Sequence, residues 1–447
     1  MSTIRARVSR LSPPQILTVG FLLLILIGSL LLWAPISSPP GKSISYIDAL
    51  FTSASATCVT GLVVADTAND FTLFGQLVIL VLIQLGGLGF MTSATWFALM
   101  LGRRISLRER IVLKESMNQT NIEGIVRLTK KVFTYSLSLE GIGALLYAWR
   151  WSSELPFGRA LYFGVFHAVS LFNNAGFELF GGFRSMTMYV DDILINIVSM
   201  LLVVSGGIGF IVMSDLIEYR RTRRLSLHSK VVLTGSSLLI GIGALVIFIF
   251  EYTNPLTLVP LHDGHKAMAA MFQSVSLRSS GTNTIDIAGL RQGTQFFMIV
   301  LMFIGAAPGS TGGGIKITSF AILLGAVFTM VRGREDVQLF RYRISQELVY
   351  RATTFTILSV FLISIATMVM SALHPRPFLM ILFEVVSAFG TVGLSMGLTP
   401  DLTAAGKWIL IFVMFLGRVG PVTLAFALQP KHKKELYRHP EGKLLIG

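Results

Sequence analysis

Thr57-Cys58-Val59-Thr60-Gly61-Leu62 is a short, polar, glycine-ended turn inside a strongly apolar chain. It follows residues 46–56, a segment too short to cross a bilayer at about 1.5 Å of helix per residue. A long apolar run comes next, at 73–101. Three more turns have the same setting: Asn173-Asn174-Ala175-Gly176-Phe177, Arg278-Ser279-Ser280-Gly281-Thr282 and Gly390-Thr391-Val392-Gly393-Leu394. The four glycines Gly61, Gly176, Gly281 and Gly393 stand 115, 105 and 112 residues apart. The chain therefore repeats one unit of about a hundred residues four times.

The composition belongs in a bilayer. Of 447 residues, 53% are hydrophobic and 13% charged, with mean hydropathy +0.71, too few charges to cover a soluble surface of this size. Long apolar runs lie at 16–34, 73–101, 132–151, 193–217, 231–250, 296–331 (interrupted), 352–373 and 408–428. They predict eight transmembrane helices, two per repeat. Shorter apolar pieces at 46–56, 160–172, 267–277 and 378–389 precede the glycine turns and predict four half-membrane helices. The first run follows Arg5, Arg7 and Arg10 like a signal peptide, but Pro35 stands where a cleavage site needs small residues, so it reads as a retained helix. The expected fold is an all-α membrane protein of four tandem units, each span, pore helix, filter loop and span, around a pseudo-four-fold pore. Its boundaries fall at 1–110, 111–225, 226–340 with a broken second helix, and 341–430, followed by a cytoplasmic tail at 431–447.

Charge sets the orientation. Of 37 Lys and Arg residues, 26 fall in five clusters at 5–10, 103–131, 220–230, 332–351 and 431–443, all between repeats or at the ends. The loops carrying the half-helices hold 8. By the positive-inside rule both termini are cytoplasmic and the turns open outward, in a multi-pass protein of the inner membrane. The net charge of +14 is thereby used on topology and anionic headgroups, and no basic face is left for nucleic acid. A single cysteine, Cys58, excludes an intrachain disulfide.

The turns carry the chemistry. A cation that sheds its water needs several oxygens at once, and a ring of backbone carbonyls from four loops supplies them. A residue without Cβ lets those carbonyls face one axis, and the half-helices aim the negative ends of their dipoles there. The candidate ion ligands are Val59, Thr60 and Gly61; Asn174, Ala175 and Gly176; Ser279, Ser280 and Gly281; and Thr391, Val392 and Gly393, with potassium as the metal held.

A second layer of glycines follows each turn. Gly86-Gly87-Leu88-Gly89, Gly206-Gly207-Ile208-Gly209 and Gly417-Arg418-Val419-Gly420 lie in apolar runs, and in the first two such glycines read as close helix packing. The third copy, Ile304-Gly305-Ala306-Ala307-Pro308-Gly309-Ser310-Thr311-Gly312-Gly313-Gly314-Ile315-Lys316, has too much glycine, and a proline, for regular helix. Broken backbone at membrane depth must be enclosed by protein or line a wet cavity, so this stretch is expected below the turns as a flexible gate. Three basic residues lie at membrane depth: Arg278, Lys316 and Arg418. Arg278 reads either as one half of a structural ion pair, with Asp48 or Glu384, or as a pore residue. Lys316 and Arg418 either face the pore axis, or Lys316 reaches back to the cytosol.

Other sites are weaker. His167, His262, His265 and His374 have no paired metal-ligand spacing. Asn173 and Asn174 offer either side-chain oxygens to an ion or a hydrogen bond behind the loop. No nucleophile and base pair up at membrane depth, so the chain is not expected to be an enzyme. The serious rival is a coupled secondary transporter with Asp215 or Glu140 carrying protons or sodium, but such folds favour inverted repeats and these are parallel.

With these turns in hand, the chain resembles the Ktr/Trk/HKT superfamily of potassium transporters, most closely the pore subunit of the bacterial Ktr type. The resemblance covers 14–428. The family's filter glycine matches Gly61, Gly176, Gly281 and Gly393, its intramembrane gating loop matches 304–316, and its basic residue in the last span matches Arg418. The channel motif Thr-Val-Gly-Tyr-Gly survives only as Thr391-Val392-Gly393. The resemblance implies potassium uptake, sodium as a candidate stimulator, a homodimer and a cytosolic nucleotide-binding regulatory ring. No cofactor is expected on this chain, and nucleotide is expected on the partner alone.

Overall fold

The computed structural model describes residues 12–117 and 122–420. Arg5, Arg7 and Arg10, the end of the expected last span at 421–428 and the tail expected to be cytoplasmic at 431–447 lie outside the described residues.

The helices are described by the four sequence units. Repeat one holds α1 (Pro13–Trp33), α2 (Tyr46–Cys58), α3 (Leu73–Gly87) and α4 (Phe90–Met100), and α5 (Leu107–Ser116) runs across the expected boundary at 110. Repeat two holds α6 (Ile125–Trp151), α7 (Phe157–Phe172), α8 (Ile193–Gly207) and α9 (Phe210–Thr222). Repeat three has α10 (Leu227–Glu251), α11 (Asp263–Ser276), α12 (Gln292–Phe303) and α13 (Ile317–Val331); repeat four has α14 (Gln346–Leu373), α15 (Phe378–Gly390) and α16 (Ala404–Val419). A two-stranded hairpin, β1 (Gln338–Leu339) and β2 (Tyr342–Arg343), lies between the last two repeats.

The helix starts follow local chemistry. Thr72, Asp192 and Thr403 accept a backbone N–H from Gly75, Ile195 and Gly406, capping the helix after the turn in repeats one, two and four. In repeat three Arg291 has no capping side chain. There Glu251, at the end of α10, accepts the Arg291 N–H at 3.0 Å and the Thr294 hydroxyl at 2.5 Å. The short helices α2, α7, α11 and α15 are buried over their C-terminal halves, so each turn sits at the centre of the molecule.

Among the described residues, α1, α10 and α14 are each long and apolar enough to cross a membrane alone. Two expected spans are not straight. The runs at 73–101 and 193–217 are broken pairs, α3 with α4 bent by 98° and α8 with α9 bent by 101°. The break falls at Gly89 (φ 84°) and Gly209 (φ 89°), backbone that L side chains rarely adopt. Gly420 ends α16 with φ 89° and ψ 132°, the same geometry. The packing reading of these glycines is only half of their role: Gly86 and Gly206 do pack closely, while Gly89 and Gly209 bend the helix. The interruption expected in 296–331 is present as the irregular segment 304–316 between α12 and α13.

Candidate functional site

The four turns meet. A Cβ on Gly61 would lie 2.5 Å from the Ala175 carbonyl oxygen, on Gly176 2.7 Å from that of Ser280, and on Gly281 2.5 Å from that of Val392. One on Gly393 would collide with the Thr60 oxygen, which closes the series. Each repeat thus touches the next through the carbonyl just before its glycine, in the cyclic order one, two, three, four, one. No side chain fits between the members of this ring.

Backbone conformation repeats with it. Val59, Asn174, Ser279 and Thr391, each two residues before its glycine, have φ of 58°, 60°, 83° and 48°, and the glycines themselves lie between 71° and 90°. Left-handed backbone is rare for β-branched Val and Thr, and such strain persists only where its surroundings impose it. The imposing groups are serines that sequence reasoning passed over. Ser55 accepts the Gly61 N–H on its hydroxyl at 3.1 Å and the Thr60 N–H on its carbonyl at 2.8 Å. Ser387 does the same for Gly393 at 3.0 Å and Val392 at 2.8 Å. Ser170 and Ser276 donate to the carbonyls of Phe177 and Thr282. The signal was available: a serine stands six residues before the glycine in three repeats and five before it in the third.

Side chains complete the ring unevenly. The Ser279 hydroxyl donates to the Thr391 carbonyl at 2.6 Å, tying loop three to loop four. Thr57 and Thr60 keep buried hydroxyls without a partner among the described residues. Cys58 is fully buried. Asn173 turns behind the ring, where its amide donates to Gln84 at 2.7 Å and to Glu140 at 3.1 Å, which decides for the hydrogen bond over an ion ligand.

Segment 304–316 packs directly beneath. Ile304 and Ile315 pair as a bridge, and the Gly305 N–H donates to the Ile315 carbonyl at 2.7 Å, closing the segment into a loop. The loop bonds to its neighbours. Ala307 and Thr311 donate to the carbonyls of Gly207 and Gly206, Phe210 donates to Gly309 at 2.9 Å, and Gly314 donates to Gly417 at 3.3 Å. Upward, the Gly313 N–H donates to the Thr391 hydroxyl at 2.9 Å, and Gly312 packs on Ser279. Gly305, Ala306, Ala307, Pro308, Gly309, Ser310 and Thr311 thus form one arm of the loop, and Gly312, Gly313 and Gly314 the arm under the ring.

The three basic residues all find backbone oxygen. Arg278 donates to the Ile304 carbonyl at 2.8 Å. Its expected carboxylate partners are engaged elsewhere: Asp48 pairs with Lys407 at 2.5 Å, and Glu384 accepts the Thr399 hydroxyl at 2.8 Å and the Leu398 N–H at 3.2 Å. The ion-pair reading of Arg278 is therefore wrong. Lys316 folds back onto its own loop, donating to the Gly312 carbonyl at 2.5 Å, and does not reach outward. Arg418 donates to the carbonyls of Thr311 in the loop and of Gly86 and Gly87 at the end of α3. Among the described residues none of the three has a carboxylate partner, so backbone carbonyl dipoles alone solvate these basic groups below the ring.

The structure thus sets a cyclic contact of four turns above a loop bonded by three basic side chains. A family model described as the cation transport protein TrkH matches residues 9–437. The chain belongs to the TrkH cation transport family. Its members are ion transporters and not enzymes. The chain is 44% identical to the Ktr system potassium uptake protein B of Bacillus subtilis, over 98% of this chain and 97% of that one. It is 38% identical to the potassium/sodium uptake protein NtpJ of Enterococcus hirae, over the whole of both. The crystal structure of the potassium transporter TrkH from Vibrio parahaemolyticus superposes with a TM-score of 0.69, at 21% identity, over 92% of this chain and 85% of that one, and so shares the TrkH fold.

Proposed function

We propose that the chain is the pore-forming subunit of a potassium uptake system, with the four-turn ring as selectivity filter and 304–316 as gate. The observation that carries this is the cyclic contact of Gly61, Gly176, Gly281 and Gly393 with the carbonyls of Ala175, Ser280, Val392 and Thr60. A closed ring of carbonyls replaces a cation's water without any charged ligand, as a conducting site requires. The partnerless hydroxyls of Thr57 and Thr60 supply further oxygen on one side. The names of the relatives in Bacillus and Enterococcus support potassium as cargo and a part for sodium, read here as stimulator.

The gate is the loop that Arg418, Arg278 and Lys316 hold under the ring. A cytosolic regulatory ring, with nucleotide bound on it and not on this chain, would bias the loop through the inner ends of the helices. Both termini cytoplasmic and eight spans, supported by the charge clusters and the helix order, complete the proposal, with a homodimer carried over from the family resemblance. The rival reading as a coupled transporter loses one carrier: Asp215 accepts from the Ser226 hydroxyl at 2.5 Å and the Ser229 hydroxyl at 2.6 Å, a fixed clamp at the start of α10.

The test is radiotracer potassium uptake in cells lacking their own uptake systems, with and without sodium and with and without the regulator. Saturable uptake that excludes sodium and rises with the regulator is expected. Equal potassium and sodium entry, or proton entry in strict proportion to potassium, would sink the filter. In the same cells a cysteine at Leu256 should be labelled by an impermeant external reagent and one at Arg223 should not; the reverse pattern overturns the orientation.

A further inference from the structure

Glu140 is a buried carboxylate in the middle of α6, 4% exposed, with no Lys or Arg paired to it among the described residues. Each of its partners donates. The Ser136 hydroxyl reaches Oε1 at 3.0 Å, the Asn173 amide reaches Oε1 at 3.1 Å, and the Gln84 amide reaches Oε2 at 3.2 Å. Ser136 shares α6, Gln84 comes from α3 of repeat one, and Asn173 is the residue immediately before the strained Asn174 of turn two. The carboxylate therefore joins two repeats directly behind one filter loop.

The orientation of Asn173 is fixed on both sides. Its amide nitrogen is shared among the Gln84 Oε1 at 2.7 Å, the Val169 carbonyl at 2.9 Å and Glu140, all acceptors. Its Oδ1 has no partner among the described residues and rests where a Cβ on Gly87 would stand. Rotating the amide would set oxygen against carboxylate. Only an acceptor-only group suits the position of Glu140; an uncharged amide would turn an N–H₂ toward at least one of three donors. Among the described residues, none of the other three turns has a carboxylate that accepts from the residue before its left-handed position.

We propose that Glu140 is the positioning residue for the second filter loop: through Asn173 it holds the Asn174-Ala175-Gly176 backbone toward the axis and so sets potassium over sodium discrimination. This rests on the filter reading of the turns. Charged hydrogen bonds in a dry interior are strong, and one that anchors a loop determines the loop's width.

The experiment compares Glu140→Gln, Glu140→Asp and Gly176→Ser in the full-length protein with its regulator, at matched membrane abundance. Glu140→Gln should reduce potassium over sodium discrimination by about tenfold, the factor of one charge-assisted hydrogen bond, while maximal potassium flux stays within about twofold. Glu140→Asp, which keeps the acceptor, should restore most of the discrimination. If Glu140→Gln fails to reach the membrane, Ser136→Ala, which removes one donor and leaves the carboxylate and every partner of Asn173, decides in the same assay and should lose about threefold. Wild-type discrimination in the variant that is measured overturns the proposal, provided Gly176→Ser loses it. Wild-type discrimination in Gly176→Ser overturns the filter reading itself.

Discussion

Repeats one and two interrupt their second helix at one glycine each, Gly89 and Gly209, and the last described helix ends at Gly420, whereas repeat three uses thirteen residues, 304–316, between its helices. At the turns the four repeats are alike: the same left-handed residue, the same glycine, the same contact with the next carbonyl. Below them they differ. The long segment donates hydrogen bonds to repeat two at Gly206 and Gly207 and to repeat four at Gly417, and Arg418 ties it to repeat one. The lesson is physical. Under the proposed function, an ion stripped of water needs near-equal oxygens on all sides, which the four alike turns offer, while a gate needs only one obstacle, which one repeat offers.

Substitutions can break this contrast, and the largest effect is expected in the ring. Gly393→Ser places a Cβ against the Thr60 carbonyl at a φ of 89°. Potassium over sodium discrimination should fall about a hundredfold, the product of strain and a displaced oxygen. Competition of sodium with tracer potassium uptake measures it, and unchanged sodium exclusion would make Gly393 an ordinary turn residue. Next comes the loop. Arg418→Gln removes guanidinium bonds to Thr311, Gly86 and Gly87, so the loop should leave its resting place more often. Maximal flux should rise about tenfold with little change in apparent affinity, and the regulator should matter less. A wild-type maximal rate with full regulator dependence would show that the loop is no gate. The smallest change belongs to Lys316→Gln. Its ammonium bonds to the loop's own Gly312, and an amide can replace that bond, so flux should rise only about twofold. A larger rise than in Arg418→Gln would invert the ranking and make Lys316 the main barrier.

What the sequence disclosed follows from where information is local. Four glycines at near-equal spacing are a linear pattern, and so were the half-helices before them and the glycine-rich interruption at 304–316. The bends at Gly89 and Gly209 were not legible, because hydropathy counts apolar residues without regard to direction, and Gly-Gly-Leu-Gly reads equally as packing. Ser55, Ser170, Ser276 and Ser387 were overlooked because serine in a short helix near a turn carries no hydropathy signal, though their spacing to the glycines is as regular as the glycines' own. The partners of Arg278 and Arg418 were beyond reach. A search for carboxylates finds Asp48 and Glu384, yet the arginines use carbonyls, which every residue has; Gly86 lies 332 positions from Arg418.

The Asp48–Lys407 pair and the Arg418 contacts have a mechanical consequence. A ring made from one chain is a hoop with three welded joints and one that is merely latched, since repeat four and repeat one are not consecutive. The latch has an outer clasp, Lys407 on Asp48 at 2.5 Å, a middle one where Gly393 meets Thr60, and an inner one, Arg418 on Gly86 and Gly87. Tension applied to the inner ends of the helices is carried by the chain itself at three joints and by hydrogen bonds at the fourth. The hoop yields first along that seam, and the clasp that yields is the arginine that also holds the loop.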